Sequence, residues 1–402
     1  MSISAIRTPT GLASALAGWA FRFRPGAGDQ ELARRALLDT VSVAVAARHE
    51  PVTQLAGSLP EAAHWAAAAH ALDYDDLHLP STAHISAVCV SATLAAGGGA
   101  EAYLAGAGVM ARLGTLLGWN HYQRGWHATC TAGAPAAAIA AGIAMGLDEP
   151  GLATAMALAV PSAGGVQRAF GTMAKPLQVG LAAAAGVQAA RLAEGGATAD
   201  PGALEEWMRL VGGSPQGDVP DFPAVPGGLA IKVYPCCYAL QRPIAAVASM
   251  GLEAGQIACV RCVTPAAALQ PLIHHRPVTG LEGKFSLEYA VAAAVLDHPV
   301  GFASFTDGAV RRPDALTVAE RVVAEGQPGA SGLLDGKFVA EVTLKDGSRR
   351  STHLTAPTGA PARPPSVEEL HAKVEDCCGA LTDEVLDLDW RLAGDFFRRV
   401  LN

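Results

Sequence analysis

Long stretches of this chain are rich in alanine and free of charge; AAAIAAGIAMGL, residues 136–147, is one of them. Alanine is the best helix former, and its small side chain lets neighbouring helices approach closely. Such runs predict helices with broad buried faces. The composition agrees: 50% of residues are hydrophobic but only 5% aromatic. The charged share, 16%, falls below the usual value of about 25%. So little charge leaves less surface for water and points to an oligomer that buries helix faces. At 402 residues the chain has room for two domains and a large core.

Along the chain, an amphipathic helix through Leu12 to Phe23 ends at Pro25 and Gly26, and Asp29 caps the next. Residues 50–60 are a short segment with Pro51 and Pro60, and a helix from Glu61 carries His64 and His70 toward an acidic stretch. Further helices run from Ser86 to about Ala96, where GGG interrupts, and from Glu101 to about Trp119. Others cover 136–145, 151–163 and, with Pro176 in its first turn, the alanine-rich run that follows the 171–178 island and ends at Gly195-Gly196; residues 197–230 read as loop.

The character changes near residue 231. IACVRCVT alternates and is β-branched, so it reads as a strand. FVAEVTLKDG and SRRSTHLT flank an Asp-Gly turn and read as a hairpin. FSLEYAVAAAVLD and PDALTVAERVVAEG read as helices. Proline-rich TAPTGAPARPP precedes a helical tail, where Ser366 and Glu369 have capping-box spacing. The expected fold is mainly α with an inserted α+β domain: residues 1–234 and 361–402 form the helical part, and 235–360 the insertion.

A net charge of −8 and a pI of about 5.8 argue against a nucleic-acid binder, which needs a basic stripe. No charged-then-apolar leader opens the sequence, and the alanine runs are too small-sided and too often broken to read as membrane spans. Eight cysteines without a disulfide pattern fit a reducing cytoplasm. Cys259 and Cys262 have metal-like spacing, but residues three apart in a strand face opposite sides and no second pair completes a site.

Polar groups concentrate in four islands at helix starts: Asp73 to His84, Arg124 to Cys130, Gly171 to Gln178 and Lys232 to Cys237. Helix N-termini carry free N–H groups and the positive dipole end, so together the islands form a site for carboxylates. His84 and His127 suit acid–base work near neutral pH; Lys175 and Lys232 suit charge neutralisation. Each also has a plainer reading. His127 can be a hydrogen-bonded core histidine, Lys175 a surface lysine, and Asp75 or Asp76 a helix cap.

In order and spacing, these pieces resemble the MmgE/PrpD family, which includes 2-methylcitrate dehydratase, cis-aconitate decarboxylase and iminodisuccinate epimerase. The matching pieces are LDYDD with the following His84, GWHAT (125–129), AKPLQVGLAAAAGVQAARLAEGG (174–196), KVYPCC (232–237) and GKFSLEYAVAAAVLD (283–297). The resemblance implies a cofactor-free homodimer with a helical domain, a smaller α+β lid and a site between them. It needs no metal and acts on small di- or tricarboxylates. It assigns catalysis to Asp73, His84, His127, Lys175 and, in the lid, Tyr289, with Lys232 binding substrate and Cys237 and Gln178 beside it. The chain departs from the family at Leu77, where a threonine is usual, and at Gln178, where a histidine is common. Dehydration, decarboxylation and epimerisation all stay open, as does a carboxylate-binding homologue without activity or a purely structural helical dimer.

Overall fold

The computed structural model describes residues 11–216, 220–328 and 336–401. The chain divides into two units. The first comprises Met1–Gln167, Lys175–Leu229 and Ser366–Asn402; the second, Arg168–Ala174 and Ala230–Pro365. The cuts stand at 229/230 and 365/366 where the sequence suggested 234/235 and 360/361. The segment Arg168–Ala174 groups with the second unit because Phe170 stacks on Phe285 and its carbonyl accepts from His274 Nε2 at 3.2 Å.

The first unit is helical among the described residues: α1 (Leu12–Arg22), α2 (Ala27–Ala46), α3 (Pro51–Ala56), α4 (Glu61–Ala71), α5 (Ile85–Ala95), α6 (Ala100–Gln123), α7 (Ala128–Met145), α8 (Glu149–Ala159), α9 (Ala174–Glu194) and α10 (Ala203–Leu210). The tail adds helices Val367–Cys378, Thr382–Leu386 and Ala393–Leu401. Helix α10 corrects the loop expected over 197–230; Leu204, Trp207 and Met208 give that short segment a buried face. Asp29 lies inside α2, where its carboxylate accepts from the Gly26 N–H at 2.9 Å, rather than at the cap itself. The kink in α6 falls at Gly118, with φ +67°.

Helix α7 is the central element. Its 18 residues are long and apolar enough to cross a membrane, but 83% of them are buried inside the protein. Alanine and glycine let its neighbours close in. A Cβ on Gly186 would lie 2.5 Å from the Ala134 carbonyl of α7, and one on Gly180 would lie 2.4 Å from the Ala63 carbonyl of α4. These contacts draw α9 onto both helices and bring its first turn to the end of α4.

The second unit holds a four-stranded sheet, β1 (Ile257–Pro265), β2 (Val322–Gln327), β3 (Phe338–Leu344) and β4 (Arg349–Leu354), in the order β2-β1-β3-β4. The expected hairpin is β3–β4, antiparallel around Asp346 and Gly347. The helix expected over PDALTVAERVVAEG stops at Ala319, and Val322 begins β2, paired parallel with β1 at Val260. Two adjacent valines suit a sheet edge better than a helix surface. Cys259 is partly exposed and Cys262 buried, on opposite faces of β1.

Candidate active site

Between α4 and α5 the chain turns sharply. Asp73 and Thr82 take left-handed backbone angles, φ +53° and +57°. Aspartate tolerates this through its short polar side chain, whereas a β-branched threonine rarely does. The turn is fastened by its own polar groups. Burial pushes His78 down to about 4. As a neutral ring it donates from Nε2 to the Pro226 carbonyl at 2.6 Å and accepts the Ser81 hydroxyl on Nδ1 at 2.7 Å. Asp76 accepts the Ser86 N–H in the first turn of α5 at 3.1 Å and also the Ser86 hydroxyl, so it is the capping aspartate.

The other acids of this stretch face inward. His70, in the last turn of α4, donates from Nδ1 to Asp75 Oδ2 at 2.7 Å. Its Nε2 accepts from the Lys175 ammonium at 2.8 Å, and Lys175 also donates to Asp73 Oδ1 at 2.8 Å. His84 Nδ1 lies 3.2 Å from Asp75 Oδ2, and its Nε2 lies 3.8 Å from Asp73 Oδ1. All five are buried, with Lys175 at 4% exposure and His84 at 7%. Burial works against charge on Asp75, but the facing His70 and His84 more than offset it and hold its carboxyl well below the usual range. Burial lowers His70 against the pull of Asp75, and the Lys175 charge adds to that lowering.

His127 completes the group. Its ring centroid lies 5.8 Å from that of His70 and 6.5 Å from that of His84. Burial, then the charge on Lys175, keeps it well below the ordinary histidine value. Gln178 Nε2 lies 2.8 Å, and Cys130 Sγ 3.3 Å, from its Nδ1. The His127 N–H donates to the Gly165 carbonyl at 2.9 Å. Gly165 has φ +133°, and a Cβ there would sit 2.6 Å from that of Cys130, so a glycine is required against the histidine.

Helix geometry explains the convergence. His84 is the N-cap of α5 and His127 that of α7, and the His84 N–H donates to Thr129 in the first turn of α7 at 3.0 Å. Lys175 lies in the first turn of α9. Three helix N-termini therefore point their positive ends at one buried cluster.

Asp73, His84, His127, Lys175 and Gln178 are thus brought together within the first unit. His70, Asp75 and Cys130 join them beyond the set expected from sequence. His70 had a legible signal: it stands three residues before Asp73, on the side of the α4 end that faces Asp73. One atom each of His70, Asp73, Asp75 and His84 lie within 4.8 Å of one another, a spacing suited to a metal ion. The Lys175 ammonium is bonded to two of these four and supplies a positive charge there. Lys232, Cys237 and Tyr289 belong to the second unit. Lys232 is fully buried, and the Cys237 N–H donates to the Lys284 carbonyl at 3.1 Å. The Tyr289 hydroxyl donates to the Ser304 carbonyl, and its ring packs edge-on against Phe305.

The first unit is thus a helical body with a buried cluster of acids, imidazoles and an ammonium, and the second unit holds a four-stranded sheet. Residues 58–212 match the MmgE/PrpD N-terminal domain and residues 234–391 the MmgE/PrpD C-terminal domain. The chain belongs to the MmgE/PrpD family. Among curated relatives it is similar to a cis-aconitate decarboxylase of Aspergillus terreus, 26% identical over 364 residues, covering 78% of this chain and 73% of that one. A cis-aconitate decarboxylase of Aspergillus terreus strain NIH 2624 / FGSC A1156 is 27% identical over the same shares.

Proposed function

We propose that this protein is a cofactor-independent lyase or isomerase that moves a proton at a carbon next to a carboxylate of a small di- or tricarboxylate. One observation carries the reading: an ammonium, three imidazoles and two carboxylates are buried together where three helix N-termini converge. A C–H beside a carboxylate is weakly acidic, and removing its proton builds an enediolate with a second negative charge. Preorganised N–H groups and a cation stabilise that charge most in a buried site. Lys175 supplies the formal charge and the helix ends supply partial ones. Either His84 or His127, with Asp73, moves the proton.

Family membership and the likeness to cis-aconitate decarboxylases support a carboxylate substrate. Dehydration, decarboxylation and epimerisation all pass through related anions, so the site serves any of them. Lys232 and Cys237 remain substrate-binding candidates through the resemblance. Tyr289 likewise remains a candidate through the resemblance; its hydroxyl donates to the Ser304 carbonyl and keeps its acceptor lone pairs. Low charge and eight cysteines held as thiols rather than disulfides support a homodimer working in a reducing cytoplasm.

The test is a panel of di- and tricarboxylic acids followed by proton NMR in heavy water. Exchange without mass loss identifies an epimerase, a new alkene with loss of water a dehydratase, and released carbon dioxide a decarboxylase. His127→Ala is expected to abolish turnover and keep the fold. Thermal shifts without turnover would instead make this a binding homologue, a reading that Leu77 favours, since a buried leucine stands where a hydroxyl is usual. No turnover and no shift with any acid overturns the proposal.

A further inference from the structure

Gln178 stands where the resembled family commonly has a histidine, and its amide is oriented without ambiguity. Its Oε1 accepts the Val166 N–H at 3.1 Å, and its Nε2 donates to the Val166 carbonyl at 3.2 Å. Rotating the amide by half a turn would set N–H against N–H and oxygen against oxygen. The remaining amide N–H therefore points at His127 Nδ1, 2.8 Å away. The Cys130 thiol, which burial keeps protonated, is a second donor toward the same nitrogen at 3.3 Å. A nitrogen that accepts two donors carries no hydrogen, so in the neutral ring the proton sits on Nε2.

His84 is oriented the opposite way. Its Nδ1 lies 3.2 Å from Asp75 Oδ2, closer than the 3.8 Å between its Nε2 and Asp73 Oδ1, so the nearer carboxylate favours the hydrogen on Nδ1 and leaves Nε2 as the basic nitrogen.

We propose that Gln178 is a positioning residue that fixes His127 as a neutral Nε2–H hydrogen-bond donor, so that His127 stabilises the enediolate oxygen while His84 takes the carbon-bound proton. In that step the substrate C–H bond breaks, its proton goes to His84 Nε2, and its electron pair enters the enediolate. His127 keeps its proton throughout. A neutral imidazole N–H is well matched to an oxyanion, as it donates strongly without starting as a cation. This division of labour rests on the carboxylate-chemistry reading above, but the tautomer of His127 does not.

The experiment is ¹⁵N NMR of histidine-labelled protein, wild type and Gln178→Glu, with steady-state kinetics on whichever acid the panel identifies. In the wild type, His127 is expected with Nδ1 bare and Nε2 protonated. A glutamate at 178 keeps the Val166 N–H but offers an acceptor to Nδ1, so the tautomer should flip. With that flip kcat should fall by about 10²- to 10³-fold, the cost of losing one oxyanion donor, while KM moves less. Gln178→Ala, which leaves Cys130 as donor, should retain the Nε2–H form and lose less activity. A wild-type spectrum with hydrogen on Nδ1 overturns the inference, as does a flipped tautomer with unchanged kcat. A correct tautomer in a protein that turns over no acid would sink the enzymatic reading alone.

Discussion

Two lysines are buried on either side of the same short turn, and they are built differently. Lys373, from the helix Val367–Cys378, donates to Asp39 at 2.6 Å and to the Tyr74 carbonyl at 2.9 Å, and its ammonium lies 3.8 Å from the centre of the Tyr74 ring. A carboxylate, a carbonyl and an aromatic face make a fixed cage for a cation. Lys175 meets the preceding residue, Asp73, and the imidazole of His70. Its surroundings are titratable, hold further imidazoles and are reached through a strained backbone at Asp73. Burying a charge is costly in either place. At Lys373 the cost is met by partners that only hold the chain together. At Lys175 the partners are themselves acids and bases, the arrangement expected where charge must be managed during a reaction.

This contrast is broken most sharply at Lys175. Lys175→Met is expected to lower kcat by ~10³-fold or more, since it removes the cation facing the developing charge. Folding, read by circular dichroism, should survive at some cost in stability, because Asp73 loses its ammonium partner. Lys373→Met should do the reverse. It leaves Asp39 buried without its counter-charge and should cost about 3–5 kcal/mol in denaturant unfolding, the range for breaking a buried pair from one side. Turnover per folded molecule should change little. If the two variants lose activity in parallel with stability, the distinction between a reacting lysine and a structural one fails.

The sequence made the islands legible because helix-disfavouring groups stand out against alanine. It placed His84, His127 and Lys175 at helix starts, and a helix start is a local property of the chain. It could not show that α9 meets α4 at Gly180, because close approach between helices is a long-range fact with no local signature. His70 carries a local signal through its closeness in sequence to Asp73 and Asp75, but its contact with Lys175 spans more than a hundred residues of chain and has none. The strand β2 is not legible because VAERVVAEG is compatible with either period, and pairing with β1 decides the matter. Helix α10 hid in a Gly- and Pro-rich setting, although Leu204, Trp207 and Met208 give it a helical face.

The smallest expected effect separates the two sides of the turn by pH. Asp76 is on the structural side, tied to Ser86, whose hydroxyl meets that of Tyr103 at 2.8 Å. Burial raises its carboxyl from 3.8 to about 7, against the pull of the Ser86 hydrogen bonds, and the nearby Asp39 adds to the rise. The folded protein thus binds a proton between about pH 4 and 7 that the unfolded chain has released. Stability must then fall as pH rises through this window, by at most about 1.4 kcal/mol per pH unit. His70 and His127 act oppositely. Their values are lowered, so the unfolded chain takes up protons first as pH drops below 6.5, and stability falls with acidification. The two trends partly cancel in the whole protein, and only a difference between variants separates them. The stability of wild type minus that of Asp76→Asn should decline between pH 4 and 7 and level off above. A flat difference would mean that Asp76 is ionised throughout, and that the turn carries uncompensated charge on its structural side as well.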